Sequence, residues 1–148
     1  MNNLLSSSLY DNTTFYKSFV KDLKHAQHSV LIESPFITTK RMIDLLPIFR
    51  TLRQEGVRIV VNTRNPEEHD SDYQQQALLA IFEMQELGVT VLYTVKHHRK
   101  LAIIDGEILW EGSLNILSQN DSCEIMRRTE SEALARQMAR FVGADKWL

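Results

Sequence analysis

The sequence holds a single cysteine, three prolines and five glycines in 148 residues, and neither sign of charge prevails. With Cys123 alone no intrachain disulfide can form, so nothing calls for an oxidising compartment. So few prolines and glycines leave few breaks in the chain and no linker-like tract. No stretch approaches the roughly 18 apolar residues of a membrane span. The opening Met1-Asn2-Asn3-Leu4-Leu5-Ser6 lacks the basic region and the apolar length of a signal peptide, which makes the cytoplasm the expected location and a membrane an unexpected partner. Seventeen Lys and Arg against 19 Asp and Glu give a formal charge of -2, so overall charge does not announce a nucleic-acid binder, and only a local basic groove is left for that purpose.

What is present is an ordinary globular composition, 43% apolar and 24% charged, in a chain of one-domain length. That excludes a disordered tail, a collagen-like fibre and a coiled-coil rod. Residues 1–11, with Ser6-Ser7-Ser8, read as a loose arm or as the mark of a cut in a larger protein, and residues 12–148 as the domain. Asn12-Thr13-Thr14 reads as an N-cap region, followed by Phe15, Phe19, Leu23 and Ala26 at helical spacing. Ser29 to Glu33 is a short apolar run stopped by Ser34-Pro35, as expected of a buried strand. Thr39 to Glu55 reads as a helix closed by Gly56, which Pro47 should kink or split. Val57 to Val61 is a strand, Asn62 to Asp72 a polar acidic loop, Tyr73 to Leu87 a helix and Val89 to Tyr93 a strand. The last third changes character: strands at Lys100 to Ile104, Ile108 to Glu111 and Glu124 to Arg128, with Asp105-Gly106 turning the first hairpin, and a closing helix over Thr129 to Val142. Alternation followed by consecutive strands predicts an α/β fold with a mixed sheet flanked by helices on both faces.

One segment carries chemistry. His98-Arg99-Lys100 opens a His-x-Lys-x4-Asp pattern that ends at Asp105, and Gly112-Ser113-Leu114-Asn115 follows. On extended backbone, residues two apart share a face, so His98 and Lys100 point together into one site while Arg99 points away. An ammonium beside an imidazole disfavours its protonation, and the neutral imidazole is the form that attacks phosphorus. The lysine also supplies fixed positive charge for phosphoryl oxygens. Ser113 and Asn115, again two apart, add hydroxyl and amide donors. The group reads as a phosphate cradle with a nucleophile in it.

In these residues the sequence resembles the phospholipase D superfamily, whose signature is His-x-Lys-x4-Asp followed by Gly-Ser-x-Asn. With no second copy of the motif, it resembles the small single-motif members, nucleases that dimerise. The Gly-Ser-x-Asn-Ile-Leu-Ser wording and Glu-Ile-Met-Arg-Arg also resemble domains attached to bacterial helicases, so a helicase or ATPase domain in the same or a partner chain is a further expectation. The resemblance implies an α-β-α sandwich and a phosphodiesterase, above all a nuclease on DNA or RNA. It makes His98 the nucleophile of a phosphohistidine intermediate, and Lys100, Ser113 and Asn115 the phosphate binders. Asp105 stands in the catalytic signature, but with a structural part rather than that of a base. Glu124 is the candidate for orienting the histidine. One motif supplies one histidine, so a twofold homodimer would supply the second, acting as acid and then base. No metal or other cofactor is implied. A non-hydrolytic dimerisation or nucleic-acid-binding module of a helicase-like or restriction-type enzyme is the rival reading, and a lipid phosphodiesterase a weaker one, since no basic helix backed by aromatics suggests a membrane surface.

The remaining polar residues have plainer readings. His97 falls out of register and reads as a core histidine or one supporting the site from behind; His25, His28 and His69 read as surface groups. Glu67, Glu68, Asp70 and Asp72 read as a solvated loop rather than a metal cluster. Two readings stand for Glu33-Ser34-Pro35-Phe36, a set of site residues after the first strand or a simple turn. Arg64, after the second strand, reads equally as a phosphodiester contact at the rim or as surface charge. Arg127 and Arg128 read as backbone contacts or a solvated strand end, Trp110 as a packing anchor and Cys123 as an inert small hydrophobe.

Overall fold

The computed structural model describes residues 6–119 and 121–148. Seven strands form one mixed sheet. They are β1 (Ser6–Asp11), β2 (Ser29–Glu33), β3 (Arg58–Arg64), β4 (Thr90–Thr94), β5 (Leu101–Ile104), β6 (Ile108–Gly112) and β7 (Ile125–Glu130), in the order β1-β7-β6-β5-β2-β3-β4. β2, β3 and β4 run parallel; β5 is antiparallel to β2, and β6, β7 and β1 continue antiparallel. The helices are α1 (Phe15–Lys24), α2 (Thr39–Gln54), α3 (Ser71–Glu86) and α4 (Glu132–Phe141).

α1, α2 and α3 cover one face, where Phe15, Phe19, Met42, Leu45, Phe49, Ile81 and Met84 pack on Val30, Ile32, Ile59, Val61 and Trp110. α4 and a C-terminal 3-10 turn cover the other, where Ala135 and Ala139 lie against Leu31, Val60, Leu101, Ile103 and Leu109. All five residues of β2 are buried, which is why that strand reads as a continuous apolar run rather than an alternation. Trp110 is fully buried, packs edge-on against Phe15 and donates from Nε1 to Asp22 Oδ2 at 2.8 Å. Helices thus cover both sides of a mixed sheet, as the pattern predicts. Among the described residues, no helix is long and apolar enough to cross a membrane.

Several expectations need correction. Residues 6–11 are not a loose arm but an edge strand, with Ser6 paired to Glu130 and Asp11 to Ile125; residues 1–5 lie outside the described residues. Thr14, within the expected Asn12-Thr13-Thr14 region, is the N-cap of α1, and Asp11 before it supports the entry, its Oδ1 accepting from the backbone N–H groups of Thr13 and Thr14. Pro47 does not split α2, which runs unbroken from Thr39 to Gln54. The proline lies on the exposed side, where a carbonyl left without its N–H partner can turn to water, while Leu45, Phe49 and Leu52 stay seated in the core. Asn62, Thr63 and Arg64 extend β3 instead of opening a loop, because β4 pairs with them. Thr129 and Glu130 belong to β7, held between β6 and β1, and α4 begins only after Ser131 caps it by accepting from the Leu134 N–H.

Candidate active site

β5 and β6 are joined at Asp105-Gly106, both with positive φ (56° and 65°), and Glu107 N–H donates to the Ile104 carbonyl. That is the hairpin turn expected of an Asp-Gly pair. The Asp105 carboxylate accepts from the N–H groups of Gln27, His28 and Ser29, with distances down to 2.7 Å. Asp105 therefore ties the hairpin to the chain entering β2. Its place is at the end of β5 opposite to His98 and Lys100, which precede the strand.

The other end of the sheet gathers the polar groups. The segment 97–100 leads into β5, Gly112 and Ser113 leave β6, Glu124 precedes β7, and Glu33 and Arg64 end β2 and β3. This is the carboxyl end of the parallel strands, where α/β sheets carry their sites. The backbone at 97–100 alternates as on a strand. His97 and Arg99 both reach the Glu33 carboxylate, with His97 Nε2 at 3.0 Å and Arg99 Nε at 2.6 Å from Oε1, while His98 and Lys100 turn to the other side. His98 is exposed. Lys100 Nζ donates to the His98 carbonyl at 2.8 Å, and Arg64 donates to the His97 carbonyl and meets the His98 ring. An open cleft of about 580 Å³ runs past His98, Lys100, Gly112 and Ser113 to Met138 and Phe141 of α4 and Val142 just after it.

Gly112 is required by close approach. A Cβ there would collide with the Ile125 carbonyl oxygen and stand 2.8 Å from Met126 Sδ. The closeness lets Ser113 bind β7 through both its N–H, which donates to the Ile125 carbonyl at 2.9 Å, and its Oγ, which accepts from the Ile125 N–H at 3.0 Å. Ser113 is thus anchored beside Glu124. Hydrogen bonds from Ser113 and Ser122, and then the charge of Lys100, hold the Glu124 carboxyl below its ordinary value. Burial lowers the Lys100 ammonium, Glu124 opposes that, and Arg64 reinforces it. Asn115 follows two residues after Ser113; its Oδ1 is buried without a hydrogen-bond partner, and its side chain is not joined to His98 or Lys100.

Glu33 is the functional-looking residue that the motif does not contain. It is fully buried and takes His97, Arg99 and, at 3.5 Å, Asn62 Nδ2; Asn62 Oδ1 in turn accepts from Thr94 Oγ1 at 2.9 Å. Burial by itself raises its carboxyl, and the bonds from His97 and Arg99 overcome that, leaving it below the ordinary value. The available signal was the register of His97 and Arg99 opposite to His98 and Lys100, together with an acid closing a buried strand.

The remaining polar residues settle into other places. His69 is half-buried between Phe36 and Tyr73 rather than a plain surface group. Asp70 caps α3 by accepting from the Tyr73 N–H, and Glu68 accepts from the Lys96 N–H. Arg128 is not a solvated strand end: it pairs with Asp22 at 2.7 Å and with Glu130 at 2.6 Å, while Arg127 donates to Ser7 Oγ. Cys123 is exposed rather than packed as a small hydrophobe.

The family described as "Cardiolipin synthase, PLD-like domain" matches residues 19–146. Solved structures share the fold at low identity. The phospholipase D family member Nuc from Salmonella typhimurium superposes with a TM-score of 0.76 at 14% identity, over 93% of this chain and 91% of Nuc. NucT from Helicobacter pylori gives 0.75 at 17% identity, over 97% and 96%. The archaeal chromatin protein TrmBL2 gives 0.64 at 11% identity, over 95% of this chain and 52% of its own. No curated protein sequence matches the chain.

Proposed function

Because this chain belongs to the phospholipase D-like family, we propose that it is a phosphodiesterase, and specifically a nuclease working through a covalent phosphohistidine at a site shared by two copies of the chain. The observation that carries this reading is the gathering of His98, Lys100, Ser113, Glu124 and Arg64 at one end of the sheet, where His98, Lys100 and Ser113 line an open cleft. Despite the overall charge of -2, Arg64 and Lys100 place two cationic groups beside His98, suiting an anionic polymer backbone. The fold shared with Nuc and NucT adds support.

In the first step an imidazole nitrogen of His98 attacks phosphorus and the bond to the leaving oxygen breaks, that oxygen taking a proton from the imidazolium of the partner's His98. In the second, the partner's His98 removes a proton from water, whose oxygen attacks phosphorus as the P–N bond breaks and His98 leaves neutral. Lys100, with Arg64 and Ser113, stabilises charge on the phosphoryl oxygens. Glu124 holds the cationic side of the site in place. Asn115, two residues after Ser113 and with an unsatisfied buried acceptor, is assigned a part in organising the loop that follows β6.

A binding role without hydrolysis is the second reading. It is favoured by the likeness to TrmBL2, whose structure is described as showing a novel mode of DNA binding. One experiment separates the two. The protein is incubated with labelled single- and double-stranded DNA and RNA and with bis-p-nitrophenyl phosphate in excess EDTA, then quenched and weighed intact alongside sedimentation. Hydrolysis with one acid-labile phosphoryl group per two chains, lost in His98→Ala, is the expected result. Retention of labelled strands without cleavage would favour binding alone, and full activity from a sedimenting monomer would end the shared-site mechanism.

A further inference from the structure

The geometry points to Glu33 as the residue that positions His98, gripping the chain on both sides of the nucleophile; the assignment rests on the hydrolytic reading above. The segment 97–100 lies between β4 and β5 and outside the sheet's regular pairing, which begins at Leu101 opposite Glu33. Among the described residues, its one backbone tie to the sheet is the Gly112 N–H donating to the Lys100 carbonyl at 3.3 Å. The ladder that fixes an ordinary strand residue is therefore missing where the nucleophile sits, and side chains take its place.

Glu33 is built for that task. It is the last residue of β2, fully buried, and its Oε1 receives both neighbours of His98, Arg99 Nε at 2.6 Å and His97 Nε2 at 3.0 Å, with Arg99 Nη2 at 3.3 Å from Oε2. Because 97 and 99 are drawn to one side, 98 and 100 must face the other. The carboxylate is itself seated by Asn62 and, through it, Thr94, so the grip spans β2, β3 and β4. A buried ionised acid is a poor way to gain stability, since an apolar residue of similar volume commonly does as well; a doubly paired one does define a single arrangement of the groups around it. Here the arrangement defined is the direction of His98. Displacing a reacting group by about an ångström is enough to cost roughly 100-fold in rate.

Three variants test the assignment on bis-p-nitrophenyl phosphate, with backbone hydrogen exchange of residues 97–100 read in the same preparations. Glu33→Ala removes the grip and should lower kcat about 100-fold with KM changed by less than about threefold. Glu33→Gln keeps one oxygen where Oε1 lies, able to accept from both His97 and Arg99, and should recover most of that loss. Arg99→Ala opens one side of the grip, leaves the buried Glu33 carboxylate to His97 and Asn62, and should lower kcat about tenfold. Exchange at 97–100 should quicken in Glu33→Ala and Arg99→Ala while the amides of β2 and β3 keep their wild-type rates. Should Glu33→Ala fail to fold, Arg99→Ala decides. Wild-type kcat and unchanged exchange in folded Arg99→Ala would overturn the assignment, as would a Glu33→Gln variant no better than Glu33→Ala. If the wild type hydrolyses nothing, the hydrolytic reading falls, and exchange alone decides whether Glu33 holds the segment.

Discussion

Arg64 Nη2 lies 2.6 Å from Nε2 of His98 and 3.2 Å from its Nδ1, while the same guanidinium donates to the carbonyl of His97. In the free protein the ring of the proposed nucleophile is thus covered by a cation that could equally serve a phosphoryl oxygen. In the proposed mechanism, attack requires that Arg64 exchange the imidazole for the phosphate, which couples arrival of the anion to release of the nucleophile.

Arg64→Ala is accordingly expected to lose the phosphate contact and to lower kcat/KM by about 10- to 100-fold, the loss of one charged hydrogen bond. Arg64→Lys should restore little, because a single ammonium cannot span the His97 carbonyl and the ring as the planar fork does. Steady-state kinetics on bis-p-nitrophenyl phosphate checks both; an alanine variant with wild-type kcat/KM would place Arg64 outside the reaction.

Asp105→Ala should act on stability. Three backbone N–H groups lose their acceptor, and a residue with φ of 56°, which Asp tolerates better than Ala, is strained. The expected loss is about 2 kcal/mol, or roughly 4–8 °C in the melting midpoint. Turnover per folded molecule should fall by less than about tenfold, since Asp105 sits at the far end of β5. Calorimetry and kinetics on the folded fraction separate the two effects, and an unshifted midpoint in an inactive variant would contradict the structural role.

Gly112→Ala forces β6 and β7 apart at the site. Overpacking of this kind costs about 1–3 kcal/mol, and the same displacement should pull Ser113 from Ile125 and with it the anchor of Glu124. Activity is expected to fall by more than the unfolded fraction accounts for, as measured by rate per folded molecule from parallel denaturation curves.

Acid should weaken the protein through Glu33. Its native carboxyl titrates below the ordinary 4.5, so its contribution is fully present above about pH 4.5 and is lost as pH falls through the lowered native value. Glu33→Gln removes that contribution. Its stability should lie below wild type near neutrality and converge with it at acid pH, a comparison made from urea midpoints between pH 3 and 7. Parallel curves over the whole range would refute the assignment of the acid loss to Glu33.

Much of this architecture was legible because local patterns and tertiary packing agree. Ser29 to Glu33 announces a strand buried on both faces, and Phe15, Phe19 and Leu23 announce the inward side of a helix. β1 was illegible for the opposite reason. Ser6-Ser7-Ser8 carries no apolar alternation, its residues are exposed, and it is a strand only because β7 offers a ladder from the other end of the chain. In the site, His98 and Lys100 stand out through fixed spacing, whereas Glu33 is a single acid whose partners at 97 and 99 join it only when β5 lies down beside β2. Arg64 had even odds as surface charge, and only the register of β3 against β4 brings it to the ring.

The same pairing of β1 with β7 has a consequence for biosynthesis. Ser6 is made 124 residues before its ladder partner Glu130. At roughly 5–20 residues per second, the edge strand waits on the order of ten seconds before it has anything to pair with. Meanwhile β2 waits in the same way for β5. The sheet therefore cannot zip up from its first strand; the β2-α2-β3-α3-β4 half is free to collapse during translation, and the antiparallel half must close over it afterwards. This high contact order predicts slow refolding for a chain of this size, and the unpaired β1 is the segment that a chaperone would find open while it waits.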